Sequence, residues 1–307
     1  MAHHFRIALA GNPNCGKTTI FNLLTGARQH VGNYPGVTVE RKSGVLKIDE
    51  LTLEVVDLPG VYSLSSSSPE ERVAFQELLE NPPDLIMNVV DASNPQRNLY
   101  LTAQLGELGI PMLLVFNMSD DARRRGLEIN YGMLEAFFGA RIVATVGSEG
   151  VGTEELRRTL HEMLTASDIR RPVRLGFGER IDRAIAEITA LVEKNPPPGR
   201  IPARYYAIKL LEGDATVCRM REFAALEPQV GACRERIAAH HGMHNDAFMA
   251  DRRYGVIAGA CREAISITNE KRRQLSDTID RVAVSRFLGL PIFLGVMYLV
   301  FMFTFVG

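Results

Sequence analysis

The residues best placed to do chemistry are Gly11-Asn12-Pro13-Asn14-Cys15-Gly16-Lys17-Thr18, with Thr19 following directly. Their spacing, G-x-x-x-x-G-K-[ST], suits a loop that wraps phosphate groups. Glycines let the backbone approach phosphate oxygens, and successive N–H groups form an anion-binding nest at a helix N-terminus. Lys17 is expected to reach the β- and γ-phosphates and the Thr18 hydroxyl to coordinate Mg²⁺.

Phosphate chemistry alone does not choose between ATP and GTP. Asn117-Met118-Ser119-Asp120 does. At a strand end, Asp120 can accept from both N1–H and N2–H₂ of guanine, a donor pair adenine lacks. Asn117 either bonds the base or ties its loop to the phosphate loop. Asp57-Leu58-Pro59-Gly60 supplies the matching D-x-x-G: Asp57 for Mg²⁺ through water, and the Gly60 N–H for the γ-phosphate. Thr38, preceded by Gly36 and Val37, is the threonine expected to close over Mg²⁺. Val146-Gly147-Ser148 stands where a loop would pack on guanine.

One expected part is missing. Val61 follows Gly60 where many GTPases carry a water-orienting glutamine, and valine cannot orient water. Catalysis then falls to the backbone, a monovalent cation, a partner or a neighbouring copy. Asn14 could offer an oxygen to such a cation, K⁺ for example, or could simply brace the loop. The residues expected to act on the reaction are thus Asn14, Lys17, Thr38 and Gly60. His240-His241-Gly242-Met243-His244 has metal-ligating side chains, but a glycine at a helix end reads as a polar interhelical turn.

These residues need strands and helices to hold them. Phe5–Ala10 predicts a strand feeding the phosphate loop, and Thr19–Leu24 a helix leaving it. Ala27–Gly44 lacks periodicity and reads as a long surface loop. Val45–Ile48 and Leu51–Val56 predict strands turned at Asp49-Glu50. Ser68-Pro69-Glu70-Glu71 is a capping signal for a helix to about Glu80. Strands at Asp84–Val90, Met112–Phe116 and Arg141–Val146 alternate with helices at Asn98–Leu108, Asn130–Phe138 and Thr153–Thr165. That alternation predicts an α/β fold with a mostly parallel sheet covered on both faces. After Arg170-Arg171-Pro172 only helical stretches are expected, the last over Asn245–Arg273.

The chain has 307 residues and a net charge of −1, which argues against nucleic acid as the main partner. Its four cysteines form no C-x-x-C pair, the pattern of a reduced compartment. Residues 287–307 carry no charge over 21 positions, long enough to cross a bilayer. Lys271, Arg272, Arg273, Arg281 and Arg286 precede that run and place the N-terminal side in the cytoplasm. The expected organisation is a nucleotide domain at 1–170, a smaller all-helical domain at 171–275, and a juxtamembrane segment with a first membrane helix at 276–307. The chain reads as the front part of a longer membrane protein.

Together GNPNCGKTTIFNLLTG, VGNYPGVTVERKSG, VVDLPGVYSL, VDASNPQRNLYLTAQL, NMSD, AIKLLEGD and SDTIDRV…RFLGLPIFLGVMYL resemble the bacterial ferrous iron transport protein B family, FeoB, over nearly the whole chain. The resemblance implies a P-loop GTPase domain, a GDP-dissociation-inhibitor-like helical domain, and the start of a membrane helix. It implies GTP and GDP as ligands, Mg²⁺ at Thr18, Thr38 and Asp57, and K⁺ at Asn14. Switch I would be Gly32–Thr38 and switch II Asp57–Gly60, with Asn117 and Asp120 on the base; Val146-Gly147-Ser148 departs from the family's commoner Ser-Ala form. Partners implied are the protein's own membrane permease domain, small FeoA-like and FeoC-like accessory proteins, and further copies of the chain. The implied location is the inner membrane, facing the cytoplasm. Two other readings share some motifs. A soluble GTPase of ribosome assembly or tRNA modification would carry a basic RNA-binding domain and no membrane run. A signalling switch would bind GTP without powering transport.

Overall fold

The computed structural model describes residues 3–26, 29–34, 37–65, 68–166 and 174–268, together with 294, 295, 297, 301, 302 and 304. Strand β1 (His3–Gly11) runs into the phosphate loop, and α1 (Lys17–Thr25) leaves it. β2 (Gln29–Asn33) and β3 (Glu40–Ile48) form an antiparallel hairpin, and β4 (Leu51–Asp57) follows a two-residue turn at Asp49-Glu50. Asp49 there has φ +50, a left-handed conformation that Asp tolerates better than most residues. α2 (Pro69–Glu80) starts as its sequence dictates: the Ser68 hydroxyl accepts from the Glu71 N–H at 3.1 Å, and Pro69 takes the first helical position.

β5 (Leu85–Asp91), α3 (Pro95–Glu107), β6 (Met112–Asn117) and the short α4 (Ser119–Arg124) continue the unit. β7 (Leu127–Ile129), α5 (Tyr131–Phe138), β8 (Arg141–Ala144) and α6 (Thr153–Thr165) complete it. The sheet order is β2-β3-β4-β1-β5-β6-β8. β4, β1, β5, β6 and β8 are parallel, and the β2–β3 hairpin extends one edge antiparallel. β6 is buried at every position, which is why its sequence is apolar without alternation.

The remaining chain gives α7 (Glu179–Val192), α8 (Ala203–Glu212), α9 (Ala215–Cys218), α10 (Glu227–His241), α11 (Asn245–Ala264) and β9 (Ile265–Ile267). Gly242, left-handed at φ +66, ends α10, and His244 precedes α11, so the histidine-rich stretch runs from the last turn of α10 through the interhelical turn.

Two expectations are corrected. The 27–44 stretch is largely a strand hairpin, because Gln29–Asn33 pairs with residues 40–44 although its own side chains face solvent. The last helix stops at Ala264 instead of Arg273, and Ile265–Ile267 pairs antiparallel with β7 to form a second, two-stranded sheet. The helical part packs against the nucleotide part. α11 packs on α3 and α5, and residues of α7, α8, α10 and α11 share one buried core with α2, α3 and one face of the sheet. Tyr100 of α3 stacks on Tyr254 of α11 at 4.3 Å between ring centroids. The opposite face of the sheet packs with α1 and α6 around Ile7, Leu9, Phe21 and Leu160.

The expected membrane helix over 287–307 falls, apart from six residues, outside the described residues. Among the described residues no helix is long and apolar enough to cross a membrane.

Candidate functional site

β1 hands the chain to the loop at Gly11, and the loop enters α1 at Lys17. Gly16 has φ +85, and a Cβ there would lie 2.1 Å from Asn117 Nδ2, so only glycine fits. Asn14 is also left-handed, at φ +65, and its side chain is exposed. Thr18 and Thr19 are exposed on the first turn of α1. Cys15 is buried beneath the loop, and burial raises its thiol pKa to about 11, so it is an inert packing group.

The D-x-x-G segment is laid along this loop by the backbone. The Leu58 N–H donates to Leu9 O at 3.0 Å and the Val61 N–H to Gly11 O at 3.2 Å. A Cβ on Gly60 would sit 3.4 Å from Pro13 Cα. This brings Asp57 to Lys17, and the two form a direct ion pair with about a tenth of each side chain exposed. Burial raises the Asp57 pKa, with Lys17 opposing the shift. Val61 is 5% exposed in the core below, a packing residue as its chemistry suggests.

At the base end Asn117 acts as a three-way tie. Its Nδ2 donates to Cys15 O at 3.0 Å. Its Oδ1 accepts from the Gly147 N–H at 2.9 Å and the Thr145 hydroxyl at 3.2 Å. Of the two roles open to Asn117, the structure shows the tie to the phosphate loop. Met118 is left-handed at φ +59, which turns the chain sharply into α4. Asp120 lies in the first turn of α4, a quarter exposed, with Arg124 Nη1 3.0 Å from Oδ2. Val146 is buried and bridges to Val151, Gly147 is buried against Asn117, and Ser148 is exposed.

The loop carrying Thr38 is different. Tyr34 N–H donates to Val39 O at 2.9 Å and Val37 N–H to Tyr34 O at 3.3 Å, closing the tip between β2 and β3. Val37 and Thr38 are exposed on that tip, and Thr38 makes no side-chain hydrogen bond among the described residues. Gly36 lies outside them. The structure therefore gathers Lys17, Asp57, Gly60, Asn117 and Gly147 around the phosphate loop, with Asp120 in the first turn of α4 and Thr38 at the hairpin tip.

Sequence reasoning missed a clamp on the segment after D-x-x-G. The Leu64 N–H donates to Gln104 Oε1 of α3 at 2.7 Å, and Lys209 Nζ of α8 donates to Leu64 O at 2.7 Å. Lys209 is 2% exposed and also lies 3.2 Å from Glu212. The signal was present: a lysine enclosed by Tyr205-Tyr206-Ala207-Ile208 and Leu210-Leu211 sits in a helix apolar on every side. Gln104→Met leaves the Leu64 N–H without its acceptor, so amide exchange in the 60–65 segment is expected to rise about tenfold. Hydrogen exchange read by mass spectrometry checks this, and unchanged exchange would mean that Gln104 does not restrain the segment.

Comparison with known proteins places this geometry in a family. The model of ferrous iron transport protein B matches residues 5–160, and that of the FeoB cytosolic helical domain matches 177–266. An Fe(2+) transport protein A/Fe(2+) transporter FeoB fusion protein of Porphyromonas gingivalis is 43% identical over 316 residues, spanning 99% of this chain and 37% of that protein. The Fe(2+) transporter FeoB of Escherichia coli (strain K12) is 37% identical, over 96% of this chain and 38% of its own length. The chain thus spans little more than a third of the curated relatives it matches. A point mutant of S. thermophilus NFeoB bound to mGDP superposes with a TM-score of 0.77 at 38% identity, covering 85% of this chain and 99% of that one. The cytosolic domain of the T. maritima FeoB iron transporter in a GDP form gives 0.73 at 33%, covering 87% and 100%. On this fold, this site and these matches, the chain belongs to the ferrous iron transport protein B family.

Proposed function

We propose that the chain is the GTP-binding and GTP-hydrolysing module of a ferrous iron transporter, seated at the cytoplasmic face of the inner membrane and coupling or gating Fe²⁺ uptake. The observation that carries the nucleotide reading is Asn117, which joins the guanine-reading turn to the phosphate loop through Cys15 O and to the following loop through Gly147 N–H. Guanine recognition and phosphate binding are thereby one rigid unit. The nucleotides held in S. thermophilus NFeoB and T. maritima FeoB support the same reading. Family membership supports Fe²⁺ as the cargo and a membrane permease region as the partner, with small FeoA-like and FeoC-like proteins and further copies of the chain as additional partners.

The residues fit the task. The loop N–H groups and the α1 N-terminus receive the phosphates. Lys17 exchanges its ion pair with Asp57 for the β- and γ-phosphates, which frees the Asp57 carboxylate. Thr18, Asp57 and Thr38 are all oxygen donors, the set a hard divalent cation requires, and would hold Mg²⁺ once the Thr38 tip moves in. Asn14 presents its exposed carboxamide beside the loop and would hold K⁺. When bound, these ions supply positive charge where it develops on the transferring phosphoryl group. The Gly60 N–H meets the γ-phosphate from the other side. Val61, packed in the core, leaves water orientation to backbone groups, so intrinsic turnover is slow.

The test is GTP hydrolysis by this chain in K⁺ and in Na⁺. Turnover about tenfold faster in K⁺, abolished as a difference by Asn14→Ala, is expected. Equal rates in the two salts would remove the cation role.

A further inference from the structure

Asn12 stands out among the buried amides near the nucleotide site: Asn88 leaves only its Oδ1 unused, Asn12 both ends. Asn12 is 3% exposed, yet neither Oδ1 nor Nδ2 has a hydrogen-bond partner among the described residues. By contrast, Asn117 uses both ends of its carboxamide, as does Asn98, which accepts from the Asp91 N–H and donates to Asn94 O. A buried amide without partners is expensive and calls for a reason.

Its position suggests one. Along β1, Ile7 and Leu9 pack with α1, whereas Ala8 and Ala10 pack on the opposite face with Leu58, Val61, Leu64 and Leu99. That alternation, carried one step further, puts Asn12 on the face of Val61 and Leu64. Both neighbours of Asn12 already touch the D-x-x-G segment: Gly11 O accepts from the Val61 N–H, and Pro13 backs onto Gly60. Asn12 therefore lies at the seam between phosphate loop and switch II, with two hydrogen-bonding ends unused.

We propose that Asn12 is a positioning residue for GTP hydrolysis, whose carboxamide takes a backbone partner in Gly60–Leu64 when the γ-phosphate draws that segment inward. This rests on the GTPase reading above. It gives the phosphate loop a side chain that stabilises switch II selectively in the triphosphate arrangement, a role Val61 cannot fill. Because the bond is made in one state only, it changes turnover and leaves diphosphate affinity alone.

The experiment compares the wild-type chain with Asn12→Leu, close in size and without polar atoms, and with Asn12→Ala. Expected are a GDP affinity within about twofold of wild type, a kcat about tenfold lower at similar KM, and an unchanged or higher Tm with GDP. The extra Tm that a non-hydrolysable GTP analogue gives over GDP should shrink in both variants. A Tm lowered equally with GDP and with the analogue would show that the amide is satisfied in every state, by a buried water for instance, and would overturn the proposal. So would wild-type kcat in both variants, or failure of both to fold. Wild-type protein that hydrolyses no GTP would overturn the underlying reading, and the proposal with it.

Discussion

Asp120→Asn is expected to weaken GTP and GDP binding about a thousandfold and to make xanthosine nucleotides the preferred ligands. On the proposed reading both carboxylate oxygens of the wild type would accept, one from guanine N1–H and one from N2–H₂. The asparagine keeps one acceptor but turns an N–H toward the N2 donor, so two donors face each other in a desolvated pocket. Xanthine carries a carbonyl at that ring position, which restores the match. The contact from Arg124 does not compete seriously, since that arginine is two-thirds exposed and also pairs with Asp121. Competition of GTP and XTP against a fluorescent GDP analogue measures the effect. Regained affinity for XTP separates a changed base preference from damage to the fold, and undiminished GTP affinity would refute the assignment.

That prediction stands on residues legible in the sequence, for a physical reason. Phosphate and base recognition need backbone N–H groups and a few side chains at fixed spacing within one loop, so Gly11 to Thr18 and Asn117 to Asp120 carry their meaning locally. Helix starts were legible for the same reason, as at Ser68-Pro69, where the cap is satisfied within three residues. What the sequence hid is set by partners far away in the chain. Gln29–Asn33 has no strand pattern of its own and becomes a strand only because residues 40–44 lie alongside. Ile265-Ser266-Ile267 stops a helix because Leu127–Ile129 offers it an edge. Lys209 looked like one residue of a matching stretch, and its grip on Leu64 appears only when α8 is packed against the sheet. Thr38 differs again: it lies exposed at the hairpin tip, and the Mg²⁺ role proposed for it depends on contacts that its own stretch of sequence does not supply.

Arg253→Met is expected to destabilise the chain by about 3–5 kcal/mol, the cost of leaving a buried charge without its partner. Arg253 is 2% exposed in α11; its Nε and Nη2 bond both oxygens of Glu107 in α3, at 2.7 and 2.9 Å. The same Nη2 lies 2.5 Å from Glu212 Oε1, and Lys209 lies 3.2 Å from the other Glu212 oxygen. Two cations and two carboxylates thus balance within the core that joins the helical part to the nucleotide part. Burial alone would raise the Glu212 pKa, but Arg253 and Lys209 outweigh it and hold the carboxyl below the ordinary range. A lowered folded pKa contributes stability above the unfolded value, lost as pH falls through the folded one. Wild type should therefore lose this contribution in acid, whereas the variant, with one cation for two carboxylates, should recover stability as pH falls and a carboxyl takes up a proton. Urea midpoints across pH would show the two trends running in opposite directions. Pairing the change with Glu107→Gln should restore much of the loss, because it removes the stranded carboxylate. A single-variant loss below about 1 kcal/mol would mean that water reaches these charges, and that packing alone holds α11 to α3.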